Sequence, residues 1–83
     1  MSKLPSVMAK NLCKILEKEG FSFIRQTGSH KIYQKQTQTG TITIPIPFST
    51  NKPIKKGTLI NILKKIGISK ERLSYLLSVF ILS

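Results

Sequence analysis

The sequence predicts an α+β fold, a three-stranded antiparallel sheet with helices packed on one face, in the order α-β-β-β-α plus a C-terminal helix. Three observations lead there. Apolar residues recur at helical spacing near both ends of the 83-residue chain, an apolar residue at every second position marks its middle, and glycines punctuate the boundaries.

From Met8 to Glu19, Met8, Leu12, Ile15 and Leu16 fall at i, i+4, i+7 and i+8, the apolar stripe of an amphipathic helix. Lys10, Lys14 and Lys18 form a second stripe away from it, most simply a solvated face. Gly20 suits the left-handed residue that ends a helix, with Phe21 placed to reach back to Leu16. Two short strands, "SFIRQ" and "HKIYQK", then flank a turn at Thr27-Gly28-Ser29. A third, "TITIPI", follows a polar loop ending in Gly40. Its Ile42, Ile44 and Ile46 alternate with Thr41, Thr43 and Pro45, so one sheet face meets a core and the other is open. Pro45 and Pro47, lacking N–H donors, end this strand or put it at an edge.

The stretch "FSTNKP" reads as a loop. A second helix starts between Ile54 and Thr58 and carries Leu59, Ile62, Leu63 and Ile66 on one stripe. Gly67 ends it, with Ile68 reaching for Leu63. Ser69 is placed to cap a last helix bearing Leu73, Leu76, Leu77 and Phe80. With both long helices on one sheet face, the other face is free for a ligand, an arrangement of the double-stranded-RNA-binding-domain type. Residues 1–83 are read as one domain, whose residues 70–83 form a helical tail.

Charge narrows the function. Fourteen Lys and Arg against three acidic residues give a net charge of +11, which draws a chain toward polyanions, nucleic acid first. A ribosomal protein, a binder of anionic membranes and a toxin held by an acidic partner fit the same imbalance. A chain this small buries only roughly 60–65% of its unfolded surface, so its core is thin. One cysteine, Cys13, allows no internal disulfide, and no secretory leader or membrane-spanning stretch is visible, so a soluble, cytoplasmic protein is expected.

The residue inventory excludes several chemistries. There is no Asp, and the acidic residues are Glu17, Glu19 and Glu71. Glu17 and Glu19 diverge at i, i+2 on a helix, which leaves a two-metal nuclease without its converging oxygen ligands. One His and one Cys cannot build a four-ligand zinc site, no Ser-His-Asp triad is possible, and no phosphate-binding glycine loop has the right spacing. No cofactor and no metal are therefore expected. The lone His30, in "RQTGSHKIY", is the one side chain whose ordinary pKa suits proton transfer near neutral pH. RNA supplies its own 2′-OH nucleophile, so a single imidazole acting as base or acid can begin its cleavage without a metal, an argument for RNA over DNA.

The segments "GFSFIRQTGSHKIY", "TITIPIP" and "IKKGTLINILKKIGIS", in this order, resemble the HicA family of toxin–antitoxin mRNA interferases over about residues 4–69. The resemblance implies a double-stranded-RNA-binding-like fold, ribonuclease activity on mRNA and neutralisation by a HicB antitoxin. It also implies that His30, the histidine of the GSH motif, is catalytic. Many relatives carry a second consecutive histidine where this chain has Lys31, and another after the third-strand proline where it has Phe48.

Around His30, candidate phosphate contacts are Arg25, Ser29 and Lys31, and at the start of the second helix Lys52, Lys55 and Lys56, where helix N–H groups also favour anions. Each has a plain alternative. Ser29 and Gly28 serve a turn, the lysines solvate a surface, and His30 itself sits at a strand end. The proton for the leaving 5′-oxygen has Tyr33, a lysine or water as its source. In a regular strand His30 shares a face with Ile32 and Gln34, and Lys31 with Tyr33, so an open-face His30 puts Ile32 outside unless a bulge intervenes. Two functions follow, a metal-independent endoribonuclease toxin and a non-catalytic basic RNA-binding module of the same fold.

Overall fold

The computed structural model describes residues 4–48 and 52–80. Helix α1 (Ala9–Lys18) precedes strands β1 (Ser22–Thr27), β2 (His30–Thr37) and β3 (Gly40–Pro47), which are followed by helices α2 (Lys56–Ile66) and α3 (Lys70–Phe80). The strands make one antiparallel sheet in the order β1-β2-β3, so the α+β layout expected from the sequence is the one found. Positions 49–51 of the expected "FSTNKP" loop and 81–83 of the apolar tail lie outside the described residues.

The helix ends follow from single residues. After α1, Gly20 takes φ +95°, a region that costs glycine little, and the Phe21 N–H donates to the Leu16 carbonyl at 2.9 Å. Phe21 and Leu16 are both buried. The same device closes α2, where Gly67 has φ +73° and the Ile68 N–H donates to the Leu63 carbonyl at 3.1 Å. At the start of α3 the Ser69 hydroxyl accepts the Arg72 N–H at 3.0 Å, and Glu71 stands in the first turn, where an acidic charge suits the helix dipole.

Both hairpins turn in two residues. Thr27 pairs with His30 around Gly28-Ser29, with Gly28 at φ +57° and Ser29 not positive, the φ signs of a type II′ turn. Thr37 pairs with Gly40 around Gln38-Thr39, so the polar loop expected here is shorter and β2 longer than the sequence suggested. Side chains zip the extra length: Thr37 Oγ1 donates to the Gly40 carbonyl at 2.8 Å, and Thr41 Oγ1 to Gln36 Oε1 at 2.9 Å.

Cross-strand partners share a sheet face. Lys31, Tyr33 and Lys35 therefore lie with Ile46, Ile44 and Ile42 on the helix-covered side, and His30, Ile32, Gln34 and Gln36 lie with Pro47, Pro45, Thr43 and Thr41 on the open side. Ile44 and Ile46 are fully buried, with Leu12, Ile15 and Leu16 of α1, Leu59 of α2 and Leu73 and Leu76 of α3. Each such side chain contributes about 1.5–3 kcal/mol of burial. Strand β3 is an edge, as its two prolines required.

One connection was not legible beforehand. Met8 and Pro53 form an isolated bridge, and the Ile54 N–H donates to the Val7 carbonyl at 2.8 Å, with both Val7 and Ile54 buried. This clasp ties the residues before α2 to those before α1 and so fixes where α2 begins.

Candidate active site

Strand β2 is regular from end to end, and the sheet's irregularity lies instead in β1. Phe23 pairs with Tyr33, but Arg25 then pairs with Ile32, leaving Ile24 as the extra residue of a bulge. The consequence is chemical. Without the bulge Arg25 would stand opposite Lys31 on the helix side; with it, Arg25 joins Ile32 and His30 on the open face. Ile32 is thus half-exposed on that face, flanked by Arg25 and Pro45, so the regular-strand expectation holds for β2.

His30 stands at the first position of β2, exposed, between Thr27 and Pro47. Its imidazole makes no hydrogen bond to a described residue. The Ser29 carbonyl accepts the Phe48 N–H at 2.7 Å, which binds the Gly28-Ser29 turn to the end of β3, while the Ser29 side chain is exposed beside His30. Farther along the open face the rows become uncharged, Gln34 bonding Thr43 Oγ1 at 3.3 Å and Gln36 bonding Thr41. Titratable and cationic groups on this face are gathered at the turn end.

There a cleft of about 500 Å³ opens, lined by His30, Pro45 and Pro47 from the sheet and by Lys52, Pro53, Ile54, Lys55 and Thr58 from the approach and first turns of α2. The clasp between Val7 and Ile54 is what brings Lys52 and Lys55 to the histidine. Residues 30, 52 and 55 are thus joined across 25 positions of sequence. Lys55 is the N-cap residue of α2 and uses no side chain to cap it, so the first-turn N–H groups keep their capacity to meet an anion. Lys56, the first helical residue, is exposed but does not line the cleft.

Lys31 goes elsewhere. It lies on the helix-covered face, its Nζ 3.9 Å from the ring centre of Phe48 and 6.0 Å from that of Phe23. Tyr33 is also removed from the chemistry. It is 3% exposed on the same covered face, hydrogen-bonded with Cys13, and burial first, then that bond, pushes its phenol pKa well above the ordinary 10.0. It is therefore no proton donor for a reaction at His30, which corrects its inclusion among the sources for the leaving oxygen. Burial likewise raises the Cys13 thiol, an inert core group as its sequence context suggested. Lys10, Lys14 and Lys18 are exposed along α1, as are Lys64 and Lys65 at the end of α2, where cations suit the helix terminus.

Sequence reasoning missed Thr58 as a lining residue and the two prolines as cleft walls. Thr58 had no signal, being one polar residue in the first turn of a helix. The prolines did carry one, because an edge strand without N–H groups presents a wall that no further strand can pair with. Among the described residues, no three His, Cys, Asp or Glu side chains gather as a metal would require, and no helix is long and apolar enough to cross a membrane.

Comparison with protein-family models gives a match over residues 9–68, most of the 83-residue chain, to the family described as the HicA toxin of bacterial toxin–antitoxin systems. Comparison with curated proteins returned no match.

Proposed function

The chain belongs to the HicA toxin family of bacterial toxin–antitoxin systems, and from that premise we propose that it is a metal-independent endoribonuclease that cleaves mRNA through His30. The observation that carries this reading is the convergence of an exposed His30 with Lys52 and Lys55 on one cleft. The sheet face that holds His30 is also the one left open by the helices.

The chemistry needs little more. His30 takes the proton of a ribose 2′-OH, and the freed oxygen attacks the adjacent phosphorus as the 5′-oxygen leaves. A cyclic phosphate and a free 5′-OH result. Lys52 and Lys55 offset the charge that builds on the phosphate oxygens, and Arg25 meets the chain across the open face. Ser29 and Lys56 supply outlying phosphate contacts, and Lys52, Lys55 or water returns the proton to the leaving oxygen. An antitoxin of the HicB kind neutralises the toxin by covering His30 and offering carboxylates to the lysines.

A second reading, a basic RNA-binding module without turnover, is favoured by one observation. The His30 ring has no orienting hydrogen-bond partner among the described residues, whereas catalytic bases are usually held by a third group. Cleavage of an end-labelled mRNA in EDTA, beside a His30→Ala variant shown by circular dichroism to be folded, separates the two. Turnover by the wild type alone supports the ribonuclease. Binding by both proteins without turnover by either supports the module.

A further inference from the structure

The cleft that holds His30 does not end at Thr58. A second, shallower cleft of about 160 Å³ adjoins it, lined by Ile44 and Pro45 of β3 and by Thr58, Asn61, Ile62 and Lys65 of α2. Pro45 and Thr58 are walls of both clefts, so the two meet there and form one groove between the free edge of β3 and α2. Thr58, Asn61 and Lys65 fall at i, i+3 and i+7, on one face of the helix. Ile44 and Ile62 are buried and give the groove an apolar floor, whereas Asn61 and Lys65 are exposed at its rim. Lys64, the sequence neighbour of Lys65, is equally exposed but lines a different cleft, with Leu4, Ile60 and Ile68.

What fits the groove follows from its chemistry. Its two halves hold His30 and three lysines, Lys52, Lys55 and Lys65, and no acidic residue. A polyanion is therefore drawn along its whole length. A peptide adding to the edge of β3 would seek backbone N–H donors, and Pro45 and Pro47 have none. Lys65 stands about 15 Å along the helix from Lys55, too far for one phosphate group to meet both. We propose that the groove carries the RNA strand onward from the scissile phosphate, with Asn61 hydrogen-bonding the base of the next nucleotide and Lys65 meeting a phosphate beyond it. An amide offers a donor and an acceptor together, the means of telling one unpaired base edge from another, so Asn61 is a specificity-determining residue. The proposal rests on the reading of the His30 cleft as the cleavage site and gives the strand its path on one side of it, Arg25 and the open sheet face lying on the other.

The test uses full-length Lys65→Gln, Lys64→Gln and Asn61→Ala proteins, all changed at exposed positions, with labelled single-stranded homopolymers of each base. A 2′-fluoro substitution removes the nucleophile, so binding is read without turnover. Lys65→Gln is expected to make the slope of log K against log salt shallower by about 0.7, while Lys64→Gln, which loses the same charge beside it, leaves the slope unchanged. Equal slopes for the two variants would mean that α2 contributes diffuse charge and no subsite, and would end the proposal. Asn61→Ala is expected to weaken the best-bound homopolymer roughly 2- to 10-fold, the worth of one hydrogen bond, and to narrow the spread among the four. A loss equal on all four, or none, would remove Asn61 from base recognition. A polyglutamate peptide that binds with the Lys65 dependence, where RNA binds without it, would give the groove to a protein partner and overturn the proposal. Any of these failures beside His30-dependent cleavage of mRNA leaves the ribonuclease reading standing. Absence of RNA binding by the wild type overturns both.

Discussion

Strand β2 presents two faces of similar composition and opposite use. On the helix-covered side every polar group is engaged by the protein. Lys31 lies over Phe48, Tyr33 is bonded with Cys13, and Lys35 Nζ donates to the Glu19 carbonyl at 2.8 Å while lying 5.7 Å from the Phe21 ring. On the open side His30 has no partner among the described residues and faces a cleft with two further cations. Polar atoms beside a core must be satisfied from within, because leaving them unpaired costs free energy. Those on a free face are satisfied by water and remain exchangeable for a ligand. The difference teaches that a lysine adjacent to a candidate catalytic residue in sequence need not act with it, whereas two lysines more than twenty positions away can.

The sharpest way to break this comparison is at its two ends. His30→Ala is expected to lower mRNA cleavage by about 10²–10⁴-fold, the usual worth of a general acid–base, with RNA binding retained. Single-turnover cleavage beside a filter-binding assay measures both, and undiminished cleavage would remove His30 from the mechanism. The mirror experiment concerns stability. Ile44→Ala, on the covered face, is expected to cost about 2–5 kcal/mol in urea unfolding. Ile32→Ala, on the open face of the neighbouring strand, is expected to cost under about 1 kcal/mol, because surface positions contribute little. Equal costs would mean that the open face is covered in solution.

A smaller effect distinguishes the cleft lysines from those along α1. Lys52→Gln and Lys55→Gln are each expected to make the slope of log K against log salt shallower by about 0.7 for single-stranded RNA, whereas Lys14→Gln leaves it unchanged. Titration of binding across a salt series reads this directly, and a Lys14 effect of the same size would show that the basic charge acts diffusely.

The smallest effect lies at high pH. Tyr33 is raised in the folded state above its ordinary 10.0, and Cys13 above its ordinary 9.0. In this window the unfolded chain releases protons that the folded chain retains, so stability is present below pH 9 and falls as pH rises beyond it. Thermal unfolding across pH 8–11 is expected to show a shallower fall for Tyr33→Phe than for the wild type. Identical curves would mean that the phenol is not desolvated.

Much of this was legible in the sequence, for reasons that can be named. The stripe from Met8 to Leu16, the alternation of Ile42, Ile44 and Ile46, and the stops at Gly20 and Gly67 are local patterns, each set by residues within a few positions of one another. His30 was legible as the sole imidazole in a motif. The clasp from Ile54 to Val7 was not, since it pairs segments 47 positions apart with no periodicity to announce it. Nor was the bulge at Ile24, because "SFIRQ" reads as an unbroken strand and nothing in it marks the extra residue.

The sequence by itself determined the order of elements, the buried faces, the basic character and the presence of one group able to move a proton near neutral pH. Each depends on composition or on short-range spacing. Only the tertiary structure decided that Arg25 shares a face with His30, that Lys52 and Lys55 close a cleft around it, that Tyr33 is withdrawn into the core and that Lys31 turns away to Phe48. These are questions of register and of long-range chain return. A shift of one residue exchanges the faces of a strand, and the bond that ties residue 54 to residue 7 forms only once the whole chain has folded around its core.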